Sequence, residues 1–61
     1  MSLKQKIMCL KNKGLSYSFM AKQVGLDRTT ISKFVADELS LTIETQAKIE
    51  SFCDKLLKAL N

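Results

Sequence analysis

The 61-residue sequence predicts an all-α fold of four helices. Three observations carry that prediction. Apolar residues recur every three or four positions in four separate stretches, which is the period of one buried helix face. No stretch alternates apolar and polar residues as a strand would. Proline is absent, and the two glycines, Gly14 and Gly25, sit at the ends of apolar stripes rather than inside them. Glycine there reads as a helix stop.

The first helix is expected from about Leu3 to Asn12. Ser2 followed by Gln5 is a capping-box pattern, and Leu3, Ile7 and Leu10 share a face. Gly14 ends it. The second helix runs from about Tyr17 to Val24, with Ser16 as N-cap and Tyr17, Met20, Ala21 and Val24 as its apolar stripe. Gly25 closes it. The third helix runs from about Arg28 to Ala36, with Asp27 expected to cap it and to favour its N-terminus by charge. Ile31, Phe34 and Val35 point one way, and Arg28, Thr29, Ser32 and Lys33 the other. The fourth runs from about Ile43 to Leu60, with Thr42 as N-cap and Ile49, Phe52, Cys53, Leu56 and Leu60 as its buried stripe. Residues 1–61 read as one domain, with no repeat, linker or low-complexity segment.

Size and composition narrow the function. A chain this short buries a small core, which suits a binding module better than an enzyme. Histidine is absent, no glycine-rich phosphate loop occurs, and no carboxylate pair has defensible catalytic geometry. No enzyme activity, metal, cofactor or small-molecule ligand is expected. Cys9 and Cys53 lack metal-type spacing. Free thiols in a reducing cytoplasm are the expectation, with a Cys9–Cys53 bridge as the alternative. Cys53 reads as a small buried hydrophobe and Cys9 as partly exposed. The first ten residues carry lysines and no apolar run, so no signal peptide is expected, and no segment reaches membrane-spanning length. A cytoplasmic location is the corresponding expectation.

Charge is polarised along the chain. Residues 1–34 carry Lys4, Lys6, Lys11, Lys13, Lys22, Arg28 and Lys33 against Asp27 alone, a net +6. Residues 35–61 carry Lys48, Lys55 and Lys58 against Asp37, Glu38, Glu44, Glu50 and Asp54, a net −2. A basic half with an acidic remainder suits a polyanion contacted from one side. A solvated lysine surface would give the same count.

The informative stretch is Tyr17–Ala36. Two short helices crossing steeply need a small residue where they touch, and Ala21 supplies it. Gly25 supplies the left-handed residue of a tight connection. Ile31 then wedges the second helix onto the first. A helix pair joined by such a turn is a DNA-reading supersecondary unit. With "GLSYSFMAKQVGLDRTTISKFV" and the following "LSLTIETQAKIESF", the sequence resembles the Cro and lambda-type phage repressor superfamily over roughly residues 3–54. The resemblance implies a compact four-helix, lambda-repressor-like domain that binds the major groove of double-stranded DNA as a transcriptional regulator, of repressor and phage or mobile-element type.

By that resemblance the base-reading positions fall on Arg28, Thr29, Ser32 and Lys33. Their chemistry suits the role: Arg28 can pair with guanine in two hydrogen bonds, Thr29 can meet a thymine methyl, a base edge or a phosphate, and Lys33 can reach guanine or phosphate. Tyr17, Ser18, Thr30 and Lys22 are the expected phosphate contacts. Tyr17 stands where the family often has glutamine, so its hydroxyl is expected to take that contact, helped by free N–H groups at the helix start. Two departures stand out. Leu10 and Val35 occupy positions where many members pair arginine with glutamate, a swap the fold tolerates. Asp37-Glu38 follows the reading helix where the family is often basic or glycine-bearing, and carboxylates facing DNA there would weaken binding.

Each feature also has a plainer explanation. Met20, Val24, Ile31, Phe52 and Leu56 are core residues. Phe19 lies off its stripe and covers the core edge or touches a partner. Leu57 and Leu60 either fold back onto the domain or pack against a second copy, giving a homodimer through the C-terminal helix. The competing function is a protein-interaction module, an antitoxin or adaptor, binding through the fourth helix and Phe19.

Overall fold

The computed structural model describes residues 1–60. Within them the chain forms α1 (Leu3–Asn12), α2 (Tyr17–Val24), α3 (Arg28–Val35) and α4 (Ile43–Leu60), with no strand among the described residues. The four expected helices are all present, and Ala36 is the C-cap of α3 rather than its last residue.

The helix starts follow from short polar side chains. Ser2 Oγ accepts the Gln5 N–H at 3.2 Å while the Ser2 N–H donates to Gln5 Oε1 at 2.9 Å, closing the capping box. Ser16 Oγ accepts the Phe19 N–H at 3.1 Å, and Thr42 Oγ1 accepts the Thr45 N–H at 3.2 Å. Asp27 differs. It has the extended conformation of an N-cap but its carboxylate makes no capping bond. The reason is local: its own carbonyl already accepts the Thr30 N–H at 3.0 Å, so the usual target of the side chain is taken. The carboxylate stays in water.

The three short helices end alike. Leu15, Leu26 and Glu38 donate backbone N–H bonds five residues back, to Leu10, Ala21 and Lys33. Each bond needs a residue with positive φ just before it. Gly14 and Gly25 supply it in the first two cases, and Asp37, at φ 63°, in the third. Aspartate tolerates this conformation better than most non-glycine residues, because its short polar chain bonds locally.

Each helix contributes two buried side chains to one core: Ile7 and Leu10, Met20 and Ala21, Ile31 and Phe34, Ile49 and Cys53. No polar or charged residue is buried with them among the described residues. The apolar expectations hold with one exception. Val24, Val35, Phe52 and Leu56 pack around the core half-exposed, and Leu57 joins them. Leu60, in the last turn of α4 and expected on the buried stripe, is 50% exposed. That helix spans about 27 Å at 1.5 Å per residue, close to the 29 Å long dimension of the molecule. Both cysteines are free thiols, and burial, with the Asp54 charge beside it, pushes the Cys53 thiol up to about 11.

The helices associate mainly as two pairs, α1 with α4 and α2 with α3. The second pair crosses through a three-residue connection, Gly25–Asp27. Ala21 and Ile31 are 1% and 0% exposed, so both lie in the interior as the small-residue argument requires. Gly25 has φ 75° and ψ 30°, the left-handed conformation that lets the connection be this short.

Candidate nucleic-acid interface

Burying Ile31, Phe34 and Val35 decides what α3 shows to solvent. At about 100° per residue, Thr29 and Lys33 fall on the opposite side with Ser32 beside them and Arg28 at its margin, and all four are exposed. The start of α2 comes to the same place. Tyr17 and Ser18 line one shallow cleft with Arg28, Thr29 and Ser32. Five of the eight residues singled out from sequence are thus adjacent across the α2–α3 pair. Lys22 and Lys33 are exposed and Thr30 is half-buried, and none of these three lines the cleft.

Two further residues line it, Ser16 and Lys11. Ser16 is occupied as the cap of α2. Lys11, in the last turn of α1, places its Nζ 4.0 Å from the centroid of the Tyr17 ring. Sequence reasoning counted Lys11 only as a charge. A lysine six residues before an aromatic across a glycine turn gives a weak signal, since the approach depends on how α1 and α2 fold back on each other.

The cleft is electropositive. Its lining includes Lys11 and Arg28 and no carboxylate. Elsewhere two cations of the basic half, Lys4 and Lys6, are paired. Lys6 bridges α1 to α4 through Asp54 at 2.8 Å and Glu50 at 3.3 Å. These bonds, the one to Asp54 foremost, raise the Lys6 pKa above its ordinary value. Lys4 pairs with Asp37 and lies 5.2 Å from the Phe34 ring centroid. Among the described residues Lys11, Lys13, Lys22, Arg28 and Lys33 have no acidic partner.

The acidic turn after α3 is therefore not a free negative patch. Asp37, whose backbone is left-handed, pairs its carboxylate with Lys4 of α1, which compensates one of the two charges. Glu38 remains exposed. The expected apolar substitution is also seen: Leu10 is fully buried and Val35 packs against the same core.

Phe19 is 41% exposed and its ring meets Phe52 of α4 at 6.3 Å between centroids, tilted by 49°. It covers the edge of the core and stays partly exposed. No group of three or more acidic, cysteine or histidine side chains among the described residues could hold a metal ion. No helix among the described residues is long and apolar enough to cross a membrane.

Four helices, a glycine-turned α2–α3 pair and an exposed basic face on α3 define a helix-turn-helix regulator of the DNA-binding kind. A family model described as helix-turn-helix matches residues 7–60. The chain belongs to that family, the Cro and lambda-repressor type of helix-turn-helix. No curated protein and no solved structure matches the chain.

Proposed function

We propose that the chain binds double-stranded DNA sequence-specifically, with α3 in the major groove, and acts as a transcriptional repressor of phage or mobile-element type. The observation that carries this reading is the basic, carboxylate-free cleft in which Arg28, Thr29 and Ser32 of α3 meet Tyr17 and Ser18 of α2. A face of this kind matches both requirements of duplex recognition. Cations and hydroxyls at its rim can hold phosphates, and side chains projecting from one helix can reach base edges. Arg28, Thr29, Ser32 and Lys33 read bases; Tyr17, Ser18, Thr30 and Lys22 hold phosphates.

The test begins with selection of bound duplexes from a random pool. Arg28→Ala then costs about 1–3 kcal/mol on the selected site and relaxes specificity at one base pair. Equal loss on the selected site and on random duplex would sink the base-reading role. A palindromic selected site would support a homodimer through the end of α4, where Leu60 is 50% exposed. Sedimentation of the free chain measures that separately.

One observation favours a second reading. A groove lined by Gln23 and Val24 of α2 and by Lys48, Phe52 and Lys55 of α4 combines apolar and basic side chains, and its Phe52 packs against Phe19. An adaptor or antitoxin would bind its protein partner there. Salt titration of binding to random duplex separates the two: a steep fall supports phosphate contact, and no binding at low salt favours the adaptor.

A further inference from the structure

We propose that Lys11 and Tyr17 form one clamp for a DNA backbone phosphate, with the Tyr17 ring holding the Lys11 ammonium at the mouth of the α2–α3 cleft. The inference rests on the DNA-binding reading above and assigns it a contact outside the helix-turn-helix unit. Its basis is the position of Lys11 Nζ, 4.0 Å from the Tyr17 ring centroid. The same two side chains line the cleft that holds Ser18, Arg28, Thr29 and Ser32.

The neighbouring cations of α1 make the contrast. Lys4 and Lys6 are turned toward Asp37, Glu50 and Asp54, so their charge is used inside the molecule. Lys11 has no carboxylate among the described residues. Its partner is a neutral π face, which orients a cation without cancelling its charge. An ammonium over a ring keeps donors free on the side away from the ring. A lysine already held there also loses less freedom when it binds a phosphate. The geometry assigns Tyr17 a role through its ring, whereas the sequence pointed to its hydroxyl.

Lys11 also sits in the last turn of α1, where a cation favours the helix C-terminus. That role would move thermal melting and leave the salt dependence of binding untouched. The experiment therefore measures binding of wild type and variants to one selected duplex and one random duplex between 50 and 200 mM salt. Lys11→Met is expected to weaken both duplexes alike and to lower the slope of log affinity against log salt by about 0.9, so the loss across that range shrinks about 3–4-fold. Lys11→Arg and Tyr17→Phe are expected to keep the wild-type slope. Tyr17→Leu is expected to weaken binding, and Lys11→Met/Tyr17→Leu to be no weaker than Lys11→Met, because the two residues act as a unit.

A wild-type slope in Lys11→Met, with a reduced slope in an Arg28 or Lys33 variant, overturns the clamp while DNA binding stands. Losses that add in the double variant, or a Tyr17→Phe loss equal to that of Tyr17→Leu, overturn the role of the ring. A wild-type chain that binds neither duplex at 50 mM salt overturns the clamp together with the reading it rests on.

Discussion

The two helix pairs of this molecule are held together differently. In α2–α3 the contact is apolar, through Met20, Ala21, Ile31 and Phe34, and the partners are joined by three residues. In α1–α4 the apolar contact of Ile7, Leu10, Ile49 and Cys53 is flanked by Lys6 reaching to Glu50 and Asp54, 44 and 48 residues away. The first pair spends no charge on its own cohesion and leaves Arg28 and Lys33 unpaired. The second uses its charge to fix helices that are distant in sequence. The contrast teaches that a charged seam occupies the cation that builds it, Lys6, whereas a wholly apolar contact leaves the cations of its helices free. On α1 the cation left free among the described residues, Lys11, lies in the last turn, beyond that seam.

The largest effect expected from breaking this contrast lies in the α2–α3 contact. Ala21 of α2 is 1% exposed in the core that α2 and α3 share. Ala21→Leu adds volume that the crossing cannot take without shifting a helix, at about 1–3 kcal/mol of stability. Unchanged thermal melting would contradict the close crossing.

A smaller effect comes from the turns. Gly25 has φ 75°, and a Cβ there would meet nothing within 4 Å. Gly25→Ala is therefore expected to cost only the left-handed conformation, about 1–2 kcal/mol, in urea unfolding. Asp37 offers the matching comparison, because its side chain already bears that conformation. Asp37→Ala is expected to lose about 1 kcal/mol, whereas Asp37→Gly relieves backbone strain and gives up an exposed ion pair, for a net change within about 0.5 kcal/mol. Equal losses in alanine and glycine variants would assign the stability to the Lys4 pair instead.

The smallest effect tests the charged seam of α1–α4. The Lys6 side chain is 18% exposed and its pKa is raised by its carboxylate partners. A raised pKa in the folded state means that the stabilisation is fully present below the ordinary lysine value of 10.5. It is lost as pH rises through the folded value. Lys6→Met is thus expected to melt below wild type at neutral pH, with the gap closing above pH 10.5. A gap that stays constant up to high pH would mean that Lys6 stabilises through its hydrocarbon stem.

Local chemistry made much of the fold legible in advance. Ser2 with Gln5, Ser16 and Thr42 start helices because a short polar side chain reaches an N–H two or three residues on, a relation contained in a few adjacent residues. Gly14 and Gly25 end them for an equally local reason. The exposed face of α3 was also legible, since helical period and the burial of Ile31 and Phe34 leave Thr29, Ser32 and Lys33 outside, with Arg28 at the edge of that face. Asp27 shows the limit even of local reasoning: the residue takes the cap position, yet its carbonyl satisfies the donor its side chain was expected to meet.

What the sequence by itself determined, then, is the set of four helices, the apolar α2–α3 crossing and the polar face of α3, because each depends on residues within about one or two helical turns. Only the tertiary structure decided which cations remain available. Lys4 finds Asp37 across 33 residues, Lys6 finds Glu50 across 44, and Lys11 comes to rest on Tyr17. Those partners are chosen by how α1 lies against the other helices. The periodicity of a stripe fixes which side of a helix is buried and says nothing of which neighbour it meets.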